Sequence, residues 1–557
     1  MPVDPSKGYG MSILTQAIPD GIDHDICIVG AGPVGIALAL ECERHGLSVL
    51  MLEAGGKRAS RLNRAEKAEI SNPRYHVPVH VATRCAFGGT SWVWSGVCVR
   101  FDDIDFQARE FMPHSGWPLA HSEVVPFYDK AAMLLNCRPD AMPATNGSSS
   151  GLEWISSDCP AWHSSQPILA NSYWEHFRRS RTITVCLNSP VVRLGLSSDG
   201  NRVETIRVAA RHGMKDVRAR RVVLAAGGLR TTQLLLATQR RWPRHFGGPH
   251  GALGRFYMGH LTGWISSIRL NTQLGAKHLL YGVAEEGTVG RRRLTIRSEK
   301  QLAERLLNIG FWPVAPLLYD PKRSQGSLSA NIALAAPQLG RWMAGGFRHA
   351  FLGPPPRRAG DHLRHILKSP GKTAMGVLRA LSGGASKRPD TAPSAGREQP
   401  AIYSLQYHAE TEPKSESRIA LADDTDRLGL PHVKVNLLFG DRDAQSVVRA
   451  HEVLDEALRN AGLGQLIYWA SQDQRAQSVL DQATDGYHQM GTTRMGGDPA
   501  QSVVDKNCRV HGLANLFVAS SSIFPTGGQA NPTLLATALG LRLAQHLAAN
   551  ASHSHNG

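Results

Sequence analysis

The chain has 557 residues, with 62 Lys and Arg against 46 Asp and Glu for a formal net charge of +16. Apolar residues make up 42%, enough to bury a large core and to exclude a chain that is disordered throughout. No uncharged apolar run approaches the ~18 residues of a membrane span, and Met1 to His24 carries acids and prolines without the apolar stretch of a secretory signal. A cytoplasmic protein is expected, barring export on a partner.

At ~150 residues per domain the length allows three or four domains, although large α/β enzymes often use fewer. The eight cysteines are scattered without a C-x-x-C pair, which argues against a zinc ribbon or a disulfide scaffold and predicts free thiols. No metal site is expected. The positive charge alone fits nucleic acid, anionic lipid, an acidic substrate or a solvated basic surface. No zinc-finger, RNA-recognition or basic-zipper pattern accompanies it, so nucleic acid is not expected as a partner.

The β-branched run Ile26 to Val29 predicts a buried parallel strand. It enters a G-x-G-x-x-G turn at Gly30, Gly32 and Gly35. An Ala- and Leu-rich helix follows to about His45, then a second strand from Ser48 to Leu52 that ends at Glu53. The glycines serve a tight turn, a close approach of backbone to pyrophosphate, and close helix–strand packing. The helix start offers free N–H groups to phosphate, and Glu53 is placed to accept hydrogen bonds from ribose hydroxyls. An acid at that position disfavours NADP, while FAD and NAD are not separated by this unit alone.

Further along, Gly88-Gly89-Thr90-Ser91 suits a loop whose backbone passes close to a flat ligand. Trp92 and Trp94 beside it fit either stacking on that ligand or plain burial. Arg220 to Leu235 reads as another strand–glycine–helix transition, with ordinary α/β packing as the alternative. The middle of the chain predicts an antiparallel sheet with helices. Within it, Gly340 to Pro400 forms a basic insert with three consecutive prolines, alternating bases and apolar residues, and a Gly-, Ser- and Pro-rich end. That insert fits a lid, a peripheral dock on anionic membrane, or a plain solvated insertion.

Near the C-terminus, Tyr487-His488 opens a glycine- and threonine-rich loop. Asn515 to Leu541 then runs strand, loop and helix, with Asn531 and Pro532 at favoured cap and first-turn positions. His260 reads as a satisfied core histidine or a residue lining the site, and His511 as a turn residue.

Taken together, these segments resemble the glucose–methanol–choline (GMC) flavoprotein oxidoreductases, in particular bacterial sugar- and polyol-oxidising members. The resemblance rests on the glycine turn with Glu53, the Gly88–Ser91 loop, Asp105-Phe106 with Gly116-Trp117-Pro118, Gly254-Arg255 with His260, Glu410 through Leu421, and the two C-terminal segments. It spans most of the chain, although residues 265–400 match poorly. It implies bound FAD, an active-site base at His488 and a partner at Asn531. It also implies cofactor contacts along the turn (Gly30, Gly32, Pro33, Val34, Gly35), the acid (Glu53, Ala54) and the paired-glycine loop (Gly88, Gly89, Ser91, Val93). Val191, Ala226 and the C-terminal segment (Ser520, Ser521, Asn531, Pro532, Thr533) complete the set. An acidic position of the family falls on Ser520. The position where some members attach FAD through a histidine falls on Val93, so the flavin is expected to be non-covalent.

The implied fold is α/β. A discontinuous Rossmann-like FAD-binding domain (20–110, 185–260, 485–557) joins a substrate domain on an antiparallel sheet (111–184, 261–484). The implied reaction is oxidation of a CH–OH group of a sugar, glycoside, cyclitol or similar polyol to a carbonyl, passing electrons to oxygen or a redox carrier. An alcohol proton has a pKa of roughly 16, so hydride loss needs a base. Neutral His488 would take that proton as hydride moves to flavin N5, with Asn531 donating to the same oxygen. Oxidation of an apolar alcohol or sterol at a membrane surface, and a non-catalytic flavin-binding scaffold, are the competing readings.

Overall fold

The computed structural model describes residues 13–14, 24–59, 68–138, 152–210, 213–271, 282–283, 289–314 and 401–553. The basic insert at 340–400 lies outside the described residues. A six-stranded parallel sheet organises the first half of the architecture. Its strand order is Ile13–Leu14, Ile183–Cys186, Val49–Leu52, His24–Val29, Ala219–Leu224, Leu516–Val518. The central strands read as unbroken apolar runs because helices cover both faces of such a sheet; Ile26, Cys27, Ile28, Val222, Val223 and Leu224 are all fully buried. The first strand begins at His24, two residues before the apolar run, and the helix after the glycine turn spans Pro33–Arg44. That helix packs on the C-terminal helix Pro532–His553. Gly540 permits the approach, since a Cβ there would sit 3.0 Å from Val34 Cγ1.

The second large unit is an antiparallel sheet of eight strands. Four of its adjacent strands are Leu261–Leu270, Ala401–Ala409, Ile309–Val314 and Val289–Ile296. Period-two alternation divides these strands between two environments. Leu294, Phe311 and Tyr407 face a core beneath helix Asp441–Asn460, where both aromatic rings meet the edge of His451. Arg293, Gly310, Trp312, Gln406 and His408 fall on the opposite face, with Trp312 paired to Gln406 and Gly310 to His408. Two three-stranded sheets complete the strand inventory among the described residues.

A buried polar strap joins the two units. Arg109 and Glu410, both with wholly buried side chains, form two parallel hydrogen bonds of 2.7 Å. The Thr526 hydroxyl donates to Asp105 O at 2.7 Å and accepts from Trp117 Nε1 at 2.8 Å. Gly528 N donates to Glu410 Oε1 at 3.2 Å. Gly528 has φ +57°, and a Cβ on it would come within 2.6 Å of Asp105 Oδ2, so this turn needs glycine. The Asp105-Phe106 and Gly116-Trp117-Pro118 motifs thus fix the loop that precedes Asn531. No disulfide joins the eight cysteines. Among the described residues no helix is long and apolar enough to cross a membrane.

Candidate active site

The carboxyl ends of the parallel strands open into a cleft of about 1120 Å³, counting the space open to solvent at its mouth. Gly30, Gly32, Pro33, Val34, Glu53, Ala54, Gly89, Val191, Ala226, Ser520, Ser521, Pro532 and Thr533 line it. Gly30 has φ +107°, and a Cβ there would lie 2.7 Å from Ala225 O, which holds the turn tight against the neighbouring strand. A Cβ on Gly32 would instead meet nothing nearer than Gly89 Cα at 4.0 Å, so the backbone there is open to a ligand. The helix that follows has no side-chain cap and no acid in its first turn, which leaves its N–H groups and positive end for an anion. Glu53 is buried in the wall. Its two carboxylate oxygens accept from Ala31 N at 2.9 Å and Gly55 N at 2.8 Å, and the carboxylate retains acceptor capacity for a hydroxyl donor. Burial raises its pKa against those backbone bonds.

Other sequence-indicated positions lie off this wall. Gly35 packs on the turn, where a Cβ would be 2.2 Å from Gly30 O. Ser91 turns inward, donating to Gly88 O at 2.6 Å and accepting from Leu169 N at 3.1 Å. Gly88 (φ +96°) shapes the loop, and the Val93 side chain is 41% exposed. Trp92 and Trp94 are half-buried, their indole N–H groups spent on Phe87 O and Pro167 O. Arg84, Cys85, Arg230 and Gln489 also line the cleft; they lie within the sequence motifs but are not among the expected contacts.

Beside the cleft, the polar face of the antiparallel sheet meets the two C-terminal loops. His488, partly buried, brings its Nε2 to 3.4 Å from Asn531 Nδ2. Arg293 donates from Nη2 to Asn531 Oδ1 at 2.7 Å and from Nη1 to Gln529 O at 2.7 Å. A guanidinium only donates, so the carbonyl end of the Asn531 amide is fixed on Arg293 and the N–H end faces His488. Arg293 itself lies over the Trp312 ring, 4.7 Å from its centroid. Gly310 leaves room for it: a Cβ would be 3.1 Å from Arg293 Cδ and 2.7 Å from Gln529 Oε1.

His260 is fully buried and hydrogen-bonded throughout, as a core histidine would be, yet it also touches His488, with the two Nδ1 atoms 2.7 Å apart. His408 stacks on His260 with centroids 4.1 Å apart. Neither His408 nor Arg293 stands out in the sequence. Burial pushes His260 down to about 4 and holds His408 and His488 well below the usual histidine range. For His488, the neighbouring His260 and the Arg293 charge add to burial. All three rings are therefore neutral at pH 7. They are the one group of His, Cys, Asp or Glu among the described residues whose ligand atoms gather within 4.8 Å, close enough to suggest a metal. However, two nitrogens on a tetrahedral zinc at ~2.1 Å would lie roughly 3.4 Å apart. The 2.7 Å between the Nδ1 atoms is a hydrogen bond instead. His511, in a turn, meets Ser502 Oγ and Gly496 O.

Two chain segments that contribute to the cleft and the His–Asn pair match known families. A model described as an FAD binding domain matches residues 23–75, and one described as GMC oxidoreductase matches residues 413–540, which hold both His488 and Asn531. The GMC oxidoreductase match thus covers the C-terminal region of the chain. The chain is 24% identical to a 6'''-hydroxyparomomycin C oxidase of Streptomyces lividus over 94% of its own length and 92% of that protein. It is 32% identical to a paromamine 6'-oxidase of Streptomyces fradiae and 34% identical to a C-glycoside 3-oxidase of Microbacterium trichothecenolyticum. Each of those two matches spans only 25% of the relative. Among solved structures it resembles pyridoxine 4-oxidase (TM-score 0.52, 17% identity, covering 94% of this chain and 99% of that one). It likewise resembles a formate oxidase (TM-score 0.53, 16% identity, covering 96% and 99%). These likenesses carry the fold.

FAD is the cofactor of this oxidoreductase, and the residues present fit it. The uncapped helix start at Pro33 suits the pyrophosphate, and Glu53 suits the ribose. The Ser520 hydroxyl is tied to Ser522, accepting from Ser522 N at 3.3 Å, and that of Ser521 donates to Gln489 O at 2.7 Å. The Ser520 hydroxyl is thus already engaged by the protein.

Proposed function

We propose that the chain oxidises a CH–OH group of a sugar, glycoside, aminoglycoside or similar polyol to a carbonyl. His488 acts as the base and Asn531 as the donor that holds the reacting oxygen. One observation carries this reading: Arg293 fixes Asn531 so that its amide Nδ2 lies 3.4 Å from His488 Nε2, which sets a donor and an acceptor side by side. A hydroxyl group needs both, an acceptor for its proton and a donor for its oxygen. FAD, when bound, supplies the acceptor for the carbon-bound hydride. The chain's own residues aim the alcohol, take its proton at Nε2 and stabilise the oxygen as it loses that proton.

The polyol class is supported by the activities of the aminoglycoside and C-glycoside oxidases among the relatives. The flavin is held without a covalent link, since Val93 offers no nucleophile. The FAD-binding domain comprises 20–110, 183–260 and 485–557, which keeps the strand Ile183–Cys186 whole in the parallel sheet, and the substrate domain 111–182 and 261–484. Oxygen serves as the electron acceptor in this reading, as the oxidase names of the relatives suggest. The test is anaerobic flavin bleaching by a panel of aminoglycosides, C-glycosides, cyclitols and apolar alcohols. Bleaching by polyols is expected, and bleaching by apolar alcohols alone would overturn the substrate class.

A further inference from the structure

We propose that His260 is a positioning residue that holds His488 in the tautomer with a bare Nε2, an inference that rests on the reading of His488 as base. Hydrogen positions follow from which partners can only donate and which can only accept. His260 Nε2 faces two carbonyls, Gly528 O at 2.9 Å and Gly527 O at 3.2 Å. Carbonyls only accept, so this nitrogen carries the hydrogen. In a neutral ring His260 Nδ1 is then a lone pair, and it lies 2.7 Å from His488 Nδ1. His488 must supply the hydrogen of that bond, which leaves its own Nε2 unprotonated.

The opposite end of the network gives the same answer independently. Arg293 turns the Asn531 N–H toward His488 Nε2, and an N–H there requires an acceptor. Donation therefore runs in one direction, from Arg293 through Asn531, His488 and His260 to the Gly528 carbonyl. In water an imidazole favours the hydrogen on Nε2, the arrangement that could not take a substrate proton. His260 reverses that preference.

The geometry around His260 is rigid. Gly528 is fixed by Glu410 and by the tight fit against Asp105, so the acceptor carbonyls cannot drift. His408 donates from Nδ1 to Gln529 O at 2.7 Å and lies flat on His260, with the ring planes 26° apart. Gly486 leaves room for the pair, since a Cβ there would be 3.3 Å from His260 Cβ and 3.4 Å from His488 Nδ1. In the proton-transfer step the substrate O–H bond breaks and an Nε2–H bond forms on His488. The resulting imidazolium keeps its Nδ1–H on the His260 lone pair, a bond strengthened by the charge.

The test combines histidine ¹⁵N spectra of the FAD-loaded protein with flavin reduction rates. His488 signals are identified by their loss in His488→Gln. Wild type and His260→Asn, whose amide oxygen can replace the Nδ1 acceptor, are expected to show the His488 hydrogen on Nδ1. His260→Leu is expected to move it to Nε2 and to slow flavin reduction on the order of a hundredfold, the lower end of what a general base supplies. His260→Asn should recover most of that loss, which a purely structural role would not predict. An unchanged tautomer in His260→Leu, or an unchanged rate, overturns the proposal. If His260→Leu does not fold, the wild-type spectrum decides, and a hydrogen on His488 Nε2 overturns it. A fully active His488→Gln protein would sink the base role alone and leave the tautomer assignment standing.

Discussion

Replacing Glu410 by Ala tests whether the two structural units are held together as described. Its carboxylate accepts two bonds from Arg109 at 2.7 Å and further bonds from Asn308 N at 3.0 Å and Gly528 N at 3.2 Å. Burial alone would raise its pKa, but the Arg109 guanidinium holds it below the usual glutamate value. Removal strands a fully buried guanidinium, and breaking one side of such a pair costs ~3–5 kcal/mol. Asp105 moderates the loss. Burial and the charges of Asp102 and Glu410 raise its pKa, while Arg109 lowers it. With Glu410 absent, Asp105 ionises more readily beside Arg109, so the lower end, about 3 kcal/mol, is expected. The exposed pair Arg207–Asp216, with side chains 35% and 38% accessible, provides the comparison. Its loss in Asp216→Ala should cost about 0–1 kcal/mol. Urea unfolding followed by tryptophan fluorescence measures both. A Glu410→Ala midpoint shifted no further than that of Asp216→Ala would refute the reasoning.

Three other outcomes follow from the site. Because His488 must be neutral to act and is held well below the usual 6.5, first by burial and then by His260 and Arg293, flavin reduction should stay level from pH 6.5 upward. Its acid limb should lie below that value; a loss centred at or above 6.5 in a pH–rate profile contradicts the electrostatics. Arg293→Met should free the Asn531 amide and slow flavin reduction roughly a hundredfold, comparable to losing one oxyanion donor, while the purified protein keeps its flavin absorbance. Gly35→Ala places a Cβ 2.2 Å from Gly30 O, so the turn must shift and the protein should be purified with little flavin, whereas a normal flavin content would show that the turn tolerates the change.

The dinucleotide unit is legible in the sequence because its signals are local. An apolar strand, a glycine turn and an alternating helix lie within a few residues of one another, and the parallel sheet forms around them. The His488–Asn531 pair is visible only through family motifs, because no periodicity joins residues on two separate loops. Arg293 and His408 are hidden for a different reason. Each occupies its own strand of the antiparallel sheet, and pairing between distant segments sets which side chains meet. In hindsight the period-two pattern Arg293-Leu294-Thr295-Ile296 marks a strand with one polar face. Within the run Arg291-Arg292-Arg293, however, nothing in the sequence marks Arg293 as buried. His260 looks like core because it is core, and contact with His488 appears only once the Gly486 turn is formed. The Asp105 and Trp117 motifs mark the family in the sequence, and the structure adds their physical task of bracing the Gly527–Gln529 loop.

The most direct measurement is single-turnover flavin reduction by a reactive polyol, without oxygen, in His488→Ala beside wild type. Bleaching should be all but abolished in the variant while bound flavin and overall fold persist. A variant that bleaches at the native rate would contradict the assignment of His488 as the group that takes the hydroxyl proton.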